Sequence, residues 1–85
     1  MATLPSDNQS YRFKSNVMGV LTHIGGQLVV IAVTNEYFKI TGEGNHPNRG
    51  EHTYIGELLS GPHDGLMFWL EPNWYERLTD WADLA

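Results

Sequence analysis

Four histidines are the side chains in this sequence that are best suited to binding a metal ion. His46, His52 and His63 could supply three imidazole ligands and leave a fourth position for water, as in catalytic zinc sites. Their spacing matches no ligand pattern, and His46 and His63 lie in expected turns, where exposed, unliganded side chains are common. We therefore predict no metal site and no cofactor. A small-ligand or metal-binding domain that uses these histidine-containing loops is kept as an alternative.

The residue types do not indicate nucleophilic or acid–base catalysis. The chain has no cysteine, and none of its serines lies in the strand-to-helix turn that exposes a catalytic serine. Gly42 and Gly44 belong to no phosphate-binding pattern, because no G-x-G-x-x-G sequence opens a helix here. Paired carboxylates need a cleft that shifts one pKa, and a chain of 85 residues has little volume for one. We predict that the protein is not an enzyme.

Acidic residues are concentrated in the second part of the chain. Residues 51–85 contain seven Asp or Glu and one Arg, whereas residues 1–50 contain three acidic and four basic residues, for a net charge of −5. Nucleic-acid binding requires clustered Lys and Arg to neutralise phosphates, so nucleic acid is not expected as a partner. An acidic surface instead favours a protein partner with a basic surface.

Aromatic residues are also concentrated near the C-terminus, where packing of the rings in the core is the simpler interpretation. The alternative is that not all three tryptophans fit into so small a core. An exposed aromatic ring beside acidic side chains is typical of a binding hot spot, for which Tyr75 and Trp81 are better candidates than Trp69. The loop around His46 and Arg49 could add further contacts. The predicted partner-binding residues are Glu71, Tyr75, Glu76, Asp80, Trp81, Asp83, His46 and Arg49.

The elements that must position these residues begin with a hairpin in the apolar run 17–34. Two β-rich segments flank Gly25-Gly26, and a two-residue loop that needs positive φ predicts a tight turn. Residues 28–33 are apolar on both faces, which predicts a central strand that is covered on both sides. Further strands are predicted at 10–15, 36–41, 52–59 and 66–70, with a long loop at 42–50.

A helix is predicted after Pro72. Asn73 followed by Glu76 resembles a capping box, and Trp74, Leu78 and Trp81 recur at the spacing of one helical face. A helix of about 11 residues is marginal alone in water, so its aromatic face must pack on the sheet.

These elements predict an α+β domain with one C-terminal amphipathic helix. The sheet would be small, strongly bent and antiparallel, or a partly open SH3-like β-barrel, with five or six strands. Residues 1–9 are expected to be a flexible N-terminus and residues 10–85 a single β-rich domain. The sequence has no signal-peptide pattern, no apolar run approaching the roughly 20 residues of a membrane span, and no cysteine, so we expect a cytoplasmic protein without membrane association.

The preferred hypothesis is a small non-enzymatic protein-binding module, either an accessory subunit or an inhibitor of the kind that phages and mobile elements encode. Its acidic, aromatic C-terminal surface would bind a basic protein surface. Besides the ligand-binding alternative, a second alternative is a self-associating structural protein. In that case an uncovered strand edge or the aromatic helix would pair with a second copy to form a homo-oligomer.

Overall fold

The computed structural model describes residues 9–85, in which seven strands form one antiparallel sheet. In chain order these are β1 (Ser10–Phe13), β2 (Gly19–Ile24), β3 (Gln27–Ala32), β4 (Tyr37–Asn45), β5 (His52–Leu58), β6 (Met67–Trp69) and β7 (Ala82–Leu84). A 3-10 turn at Tyr75–Arg77 and a short helix, α1 (Leu78–Trp81), precede β7. The order across the sheet is β3-β2-β6-β5-β4-β1-β7.

This architecture confirms a small α+β fold built on an antiparallel sheet. The sheet is open and does not close into a barrel, and an SH3-like arrangement is not confirmed. The sequence predicted five or six strands. The structure has a seventh, β7, in a segment that was predicted to belong to the C-terminal helix. The predicted flexible N-terminus, residues 1–9, lies outside the described residues except for Gln9.

The diglycine hairpin is confirmed. Ile24 pairs with Gln27, and the two residues between them, Gly25 and Gly26, have φ values of 59° and 82°. Both values lie in the left-handed region that glycine adopts without a steric cost. A two-residue turn of this kind matches the twist of the flanking strands, so β2 and β3 stay paired along their whole length.

The prediction that residues 28–33 form a central strand is wrong. Among residues 9–85, strand β3 lies at the edge of the sheet and pairs only with β2. Its side chains at Val29, Ile31 and the following Val33 point toward the core, whereas Leu28 and Val30 point to the opposite face and are exposed. The hydrophobic run therefore belongs to a strand of which the described part of the chain covers one face.

The loop predicted at residues 42–50 is shorter than expected. Strand β4 continues through Gly42 and Gly44 to Asn45, with an irregularity in its pairing to β5 between Ile40 and Gly42. A bulge of this kind bends a strand without ending it. The true loop occupies residues 46–51.

The C-terminal helix is much shorter than predicted. Asn73 does not cap it, since Asn73 has a φ of 147° and no side-chain capping bond is present at either helical element. After Trp81 the chain becomes extended, and Ala82 pairs with Phe13 in β1. Strand pairing with β1 thus replaces the last turn of the expected helix.

Aromatic rings from several elements fill the core on one face of the sheet. Phe13 and Phe38 stack with ring centroids 4.2 Å apart, and Phe38 also stacks on Trp81 at 5.6 Å. Phe68 meets Phe38 edge-on. Tyr11, Phe13, Phe38 and Ile40 are all buried in this core. Trp81 likewise inserts its indole against the sheet, as expected of a docked C-terminal segment.

Candidate functional site

The loop between β4 and β5 is organised around His46, which is buried although the sequence predicted an exposed turn residue. The main-chain N–H of His46 donates to the carbonyl of Glu51 at 2.8 Å, and the N–H of Gly50 donates to the carbonyl of His46 at 2.7 Å. The N–H of Asn48 donates to Nδ1 of the imidazole at 3.2 Å. An Nδ1 that accepts a hydrogen bond leaves the ring proton on Nε2.

That Nε2 lies 3.2 Å from Oε2 of Glu71, to which it donates. The other oxygen of Glu71, Oε1, accepts from Nη1 of Arg49, also at 3.2 Å. Nε of Arg49 in turn lies 3.2 Å from Oε1 of Glu51. Two residues of the loop, His46 and Arg49, thus hold one carboxylate, so Glu71 has a defined position just after β6.

Beside this cluster lies a cleft of about 300 Å³, the acidic cleft, between β5 and the segment that precedes the helix. The rings of Tyr54 and Tyr75 meet there with centroids 4.7 Å apart and planes inclined by 58°. The residues that line the cleft are Glu51, His52, Thr53, Tyr54, Glu71, Pro72, Asn73, Tyr75 and Glu76. It thus combines two aromatic rings with three carboxylates.

The pKa of the Tyr54 phenol is raised by burial and by nearby charges. Burial raises the pKa of its phenol above 10.0, and the charge of Glu43, the Tyr75 phenol and the charge of Glu76 raise it further. The imidazole of His52 contacts the Tyr54 ring edge-on at 5.4 Å, and its Nε2 lies 2.5 Å from Oε1 of Glu43. Negative charge is therefore disfavoured at the Tyr54 oxygen, first by burial and then by the charges of Glu43 and Glu76.

The structure brings together five of the eight predicted partner-binding residues. The acidic cleft is lined by Glu71, Tyr75 and Glu76. His46 and Arg49 form hydrogen bonds with the Glu71 carboxylate. Sequence reasoning missed Tyr54, Glu51 and His52. These residues lie in or beside β5, and no local signal in the sequence connects them with Tyr75, which is far along the chain.

The other three predicted residues lie outside the cleft. Asp83 is 3.8 Å from Arg12 and from Lys14, and Asp80 is 3.1 Å from Nε of Arg77. Trp81 is only 5% exposed, and its Nε1 donates to the carbonyl of Trp74 at 2.8 Å. As a correction to the predicted hot spot, its ring belongs to the core and is not available to a partner.

A second groove of about 420 Å³ runs between the segment before β2 and the helical turn. Met18, which is 79% exposed, and the half-buried Trp74 give it apolar walls. Asp80 and Arg77 pair with each other on its rim. The charges of this groove are paired with each other, whereas the acidic cleft contains Glu76, which is in no salt bridge among the described residues, so we assign the candidate site to the acidic cleft.

Residues 9–85 contain no group of three or more His, Asp or Glu placed to hold a metal ion. Of the three histidines considered above, His46 contacts Glu71 and His52 contacts Glu43. Within the same residues, no helix has both the length and the apolar character needed to cross a membrane.

Comparisons of the chain with protein-family models, with curated proteins and with solved structures found no match.

Proposed function

We propose that this protein is a non-enzymatic protein-binding module that takes a basic side chain of its partner into the acidic cleft. The observation that carries the proposal is the meeting of Tyr54 and Tyr75 beside the carboxylate of Glu76. None of the salt bridges among residues 9–85 involves Glu76, which is exposed. Its charge therefore has no salt-bridge partner in the described part of the chain.

An arginine guanidinium suits this cleft better than other side chains. A planar cation can lie on the face of a tyrosine ring, an arrangement that contributes about 0.5–1 kcal/mol at exposed sites. The same guanidinium can pair with a carboxylate through two hydrogen bonds. Glu71 is already paired with His46 and Arg49, which leaves Glu76 as the carboxylate that an incoming cation would meet.

Preorganisation and long-range charge support the same function. The hydrogen bonds of His46 and Arg49 hold Glu71 in place before any partner arrives, so this wall of the acidic cleft does not have to be ordered on binding. The net charge of −5 attracts a basic surface and accelerates its association at low salt.

The direct test is an NMR titration of the protein with N-acetyl-arginine amide, with the citrulline analogue as a neutral control of nearly the same shape. We expect shifts at the Tyr54 and Tyr75 rings with arginine only. Tyr75→Leu should weaken binding about fivefold by removing the aromatic face. Glu76→Gln should weaken it about twofold to fivefold.

Asp80→Asn is the matched control, because Asp80 is exposed and acidic but lies outside the acidic cleft. We expect this variant to bind like the wild type. Equal shifts with arginine and citrulline, or equal losses in Glu76→Gln and Asp80→Asn, would contradict the proposal.

The phenol of Tyr54 offers a second readout. Because Glu76 contributes to its raised pKa, Glu76→Gln should lower the pKa of Tyr54 in an ultraviolet titration, and Asp80→Asn should not. The folded state also keeps this proton to a higher pH than the unfolded chain does. The stability that this raised pKa contributes is therefore complete below pH 10 and is lost as the pH rises through the pKa of the folded state. In Tyr54→Phe, which has no phenol at this position, this part of the pH dependence of stability should be absent.

A further inference from the structure

Strand β3 leaves one side of its backbone unpaired within the described part of the chain. Its hairpin with β2 starts at the pair Ile24 and Gln27, so hydrogen-bonded and non-bonded pairs alternate from there. Leu28, Val30 and Ala32 fall in the non-bonded pairs, and their N–H and C=O groups point away from β2. All three residues are exposed.

This edge has none of the features that usually protect an exposed strand. Residues 17–34, which contain both strands of the hairpin, include no Asp, Glu, Lys or Arg, and β3 contains no proline. Native proteins usually place a charge, a proline or a bulge on such an edge to prevent pairing with another chain. The register of β2 and β3 is also regular from end to end.

The face of the sheet opposite the core is apolar next to this edge. Val30 lies opposite Leu21, Leu21 opposite Trp69, and Trp69 opposite Ile55, so these four residues form one row across four strands, the outer row. Val30 is 72% exposed and ends the outer row at the open edge. A strand added to β3 would extend this row.

We propose that a second copy of this chain pairs with β3 in antiparallel orientation and forms a two-fold symmetric dimer. Opposite residues in such a pair share a face, so Val30 opposite Val30 of the second copy joins the two outer rows. In the same register Leu28 lies opposite Ala32 of the second copy. All the outward N–H and C=O groups of these three residues then bond, about six hydrogen bonds in total.

The properties of β3 favour a second copy over another occupant. A charged strand would find no counter-ion between residues 17 and 34, whereas β3 itself is uncharged, of equal length and complementary to itself. Two copies repel through a net charge of −5 each, so salt should strengthen the dimer. Binding of a cation in the acidic cleft should instead weaken with salt. The opposite salt dependences allow the dimer and the cation site to be tested independently of each other.

Sedimentation equilibrium of the full chain at low and high salt tests the dimer. We expect a concentration-dependent dimer for the wild type and a monomer for Val30→Lys, which places two like charges opposite each other. Leu84→Lys is the matched control, since Leu84 is 71% exposed and lies on β7 at the other edge of the sheet. This variant should dimerise like the wild type.

Cross-linking through an introduced cysteine tests the register independently of the lysine variants. The natural chain contains no cysteine, so the only disulfide between protein cysteines that Val30→Cys can form is with a second copy. It forms when the thiolate of the second copy displaces glutathione from the mixed disulfide. Opposite residues of a hydrogen-bonded antiparallel pair have Cα atoms about 5.5 Å apart, a separation that a disulfide spans. With oxidised glutathione, Val30→Cys should become a covalent dimer, and Leu84→Cys should stay largely monomeric.

Three results would overturn the proposal. The first is a wild-type chain that stays monomeric at all concentrations and salts, even if a strand from another protein binds to β3. The second is equal association of the folded Val30→Lys and Leu84→Lys variants, with folding checked by circular dichroism. The third is equal cross-linking of the two cysteine variants, because that result indicates random collision.

Discussion

The two edges of the sheet are protected in opposite ways. Strand β7 is three residues long, and its Asp83 forms salt bridges with Arg12 and Lys14 of the neighbouring segment. Strand β3 is six residues long and uncharged. Short length and charge are standard means of preventing edge pairing, so β7 has both and β3 has neither.

The two edges of the sheet also differ in how they contact the hydrophobic core. The β7 end is held by the core, because Trp81 and Ala82 are buried directly before and within the strand. The β3 end contributes no aromatic ring, and it is held by the aliphatic side chains of Val29, Ile31 and Val33 in the core, by its pairing with β2 and by the diglycine turn. Aromatic burial therefore stabilises the β7 end, whereas aliphatic burial and turn geometry stabilise the β3 end.

The largest expected effect concerns Trp81. Trp81→Ala removes a ring that stacks on Phe13 and Phe38, and it also removes the bond to the carbonyl of Trp74. We expect a loss of about 3–5 kcal/mol in the free energy of unfolding, measured by urea denaturation. Val30→Ala, at the opposite edge, should change the stability of the monomer by less than about 0.5 kcal/mol. Similar losses in the two variants would remove the contrast between the edges.

Much of the sheet could be predicted because alternation and turn chemistry are local. Gly25-Gly26 predicts its hairpin, and Phe38 and Ile40 face the core as their spacing requires. The position of residues 28–33 could not be predicted in the same way. A strand that is apolar on both faces is typical of a sheet centre, but the sequence does not show whether the second cover comes from the same chain.

The errors at the C-terminus have a similar physical origin. Trp74, Leu78 and Trp81 have helical spacing, yet the chain leaves the helix at Ala82 because pairing with β1 is a tertiary interaction. In the candidate site, the charge pattern identified Glu71 and Glu76. It did not identify Tyr54, because the contact of Tyr54 with Tyr75 joins two elements that are distant in sequence.

A smaller effect is expected at the turn that supports β3. Gly26→Ala forces a residue with a Cβ atom into a φ of 82°, which should cost about 1–2 kcal/mol and loosen β3. Urea denaturation gives the loss, and hydrogen exchange shows whether the β3 amides lose protection. Gly42→Ala is the control, since Gly42 has no positive φ and a Cβ there meets no atom within 4 Å. A stable Gly26→Ala would mean that the turn does not maintain the β3 end.

The smallest effect is expected at Asp83. Its two salt bridges are 3.8 Å long, and all three side chains are exposed or half-exposed, so Asp83→Asn should cost only about 0.2–1 kcal/mol at low salt. In 1 M NaCl, where the Debye length is about 3 Å, the difference from the wild type should nearly vanish in urea denaturation. Asp80→Asn, which removes one local pair with Arg77, is the control. A loss above about 2 kcal/mol at low salt that disappears in 1 M NaCl would show that charge, rather than the burial of Trp81, holds the β7 edge. The charges of this edge are therefore expected to prevent pairing with other chains and to add little to folding stability.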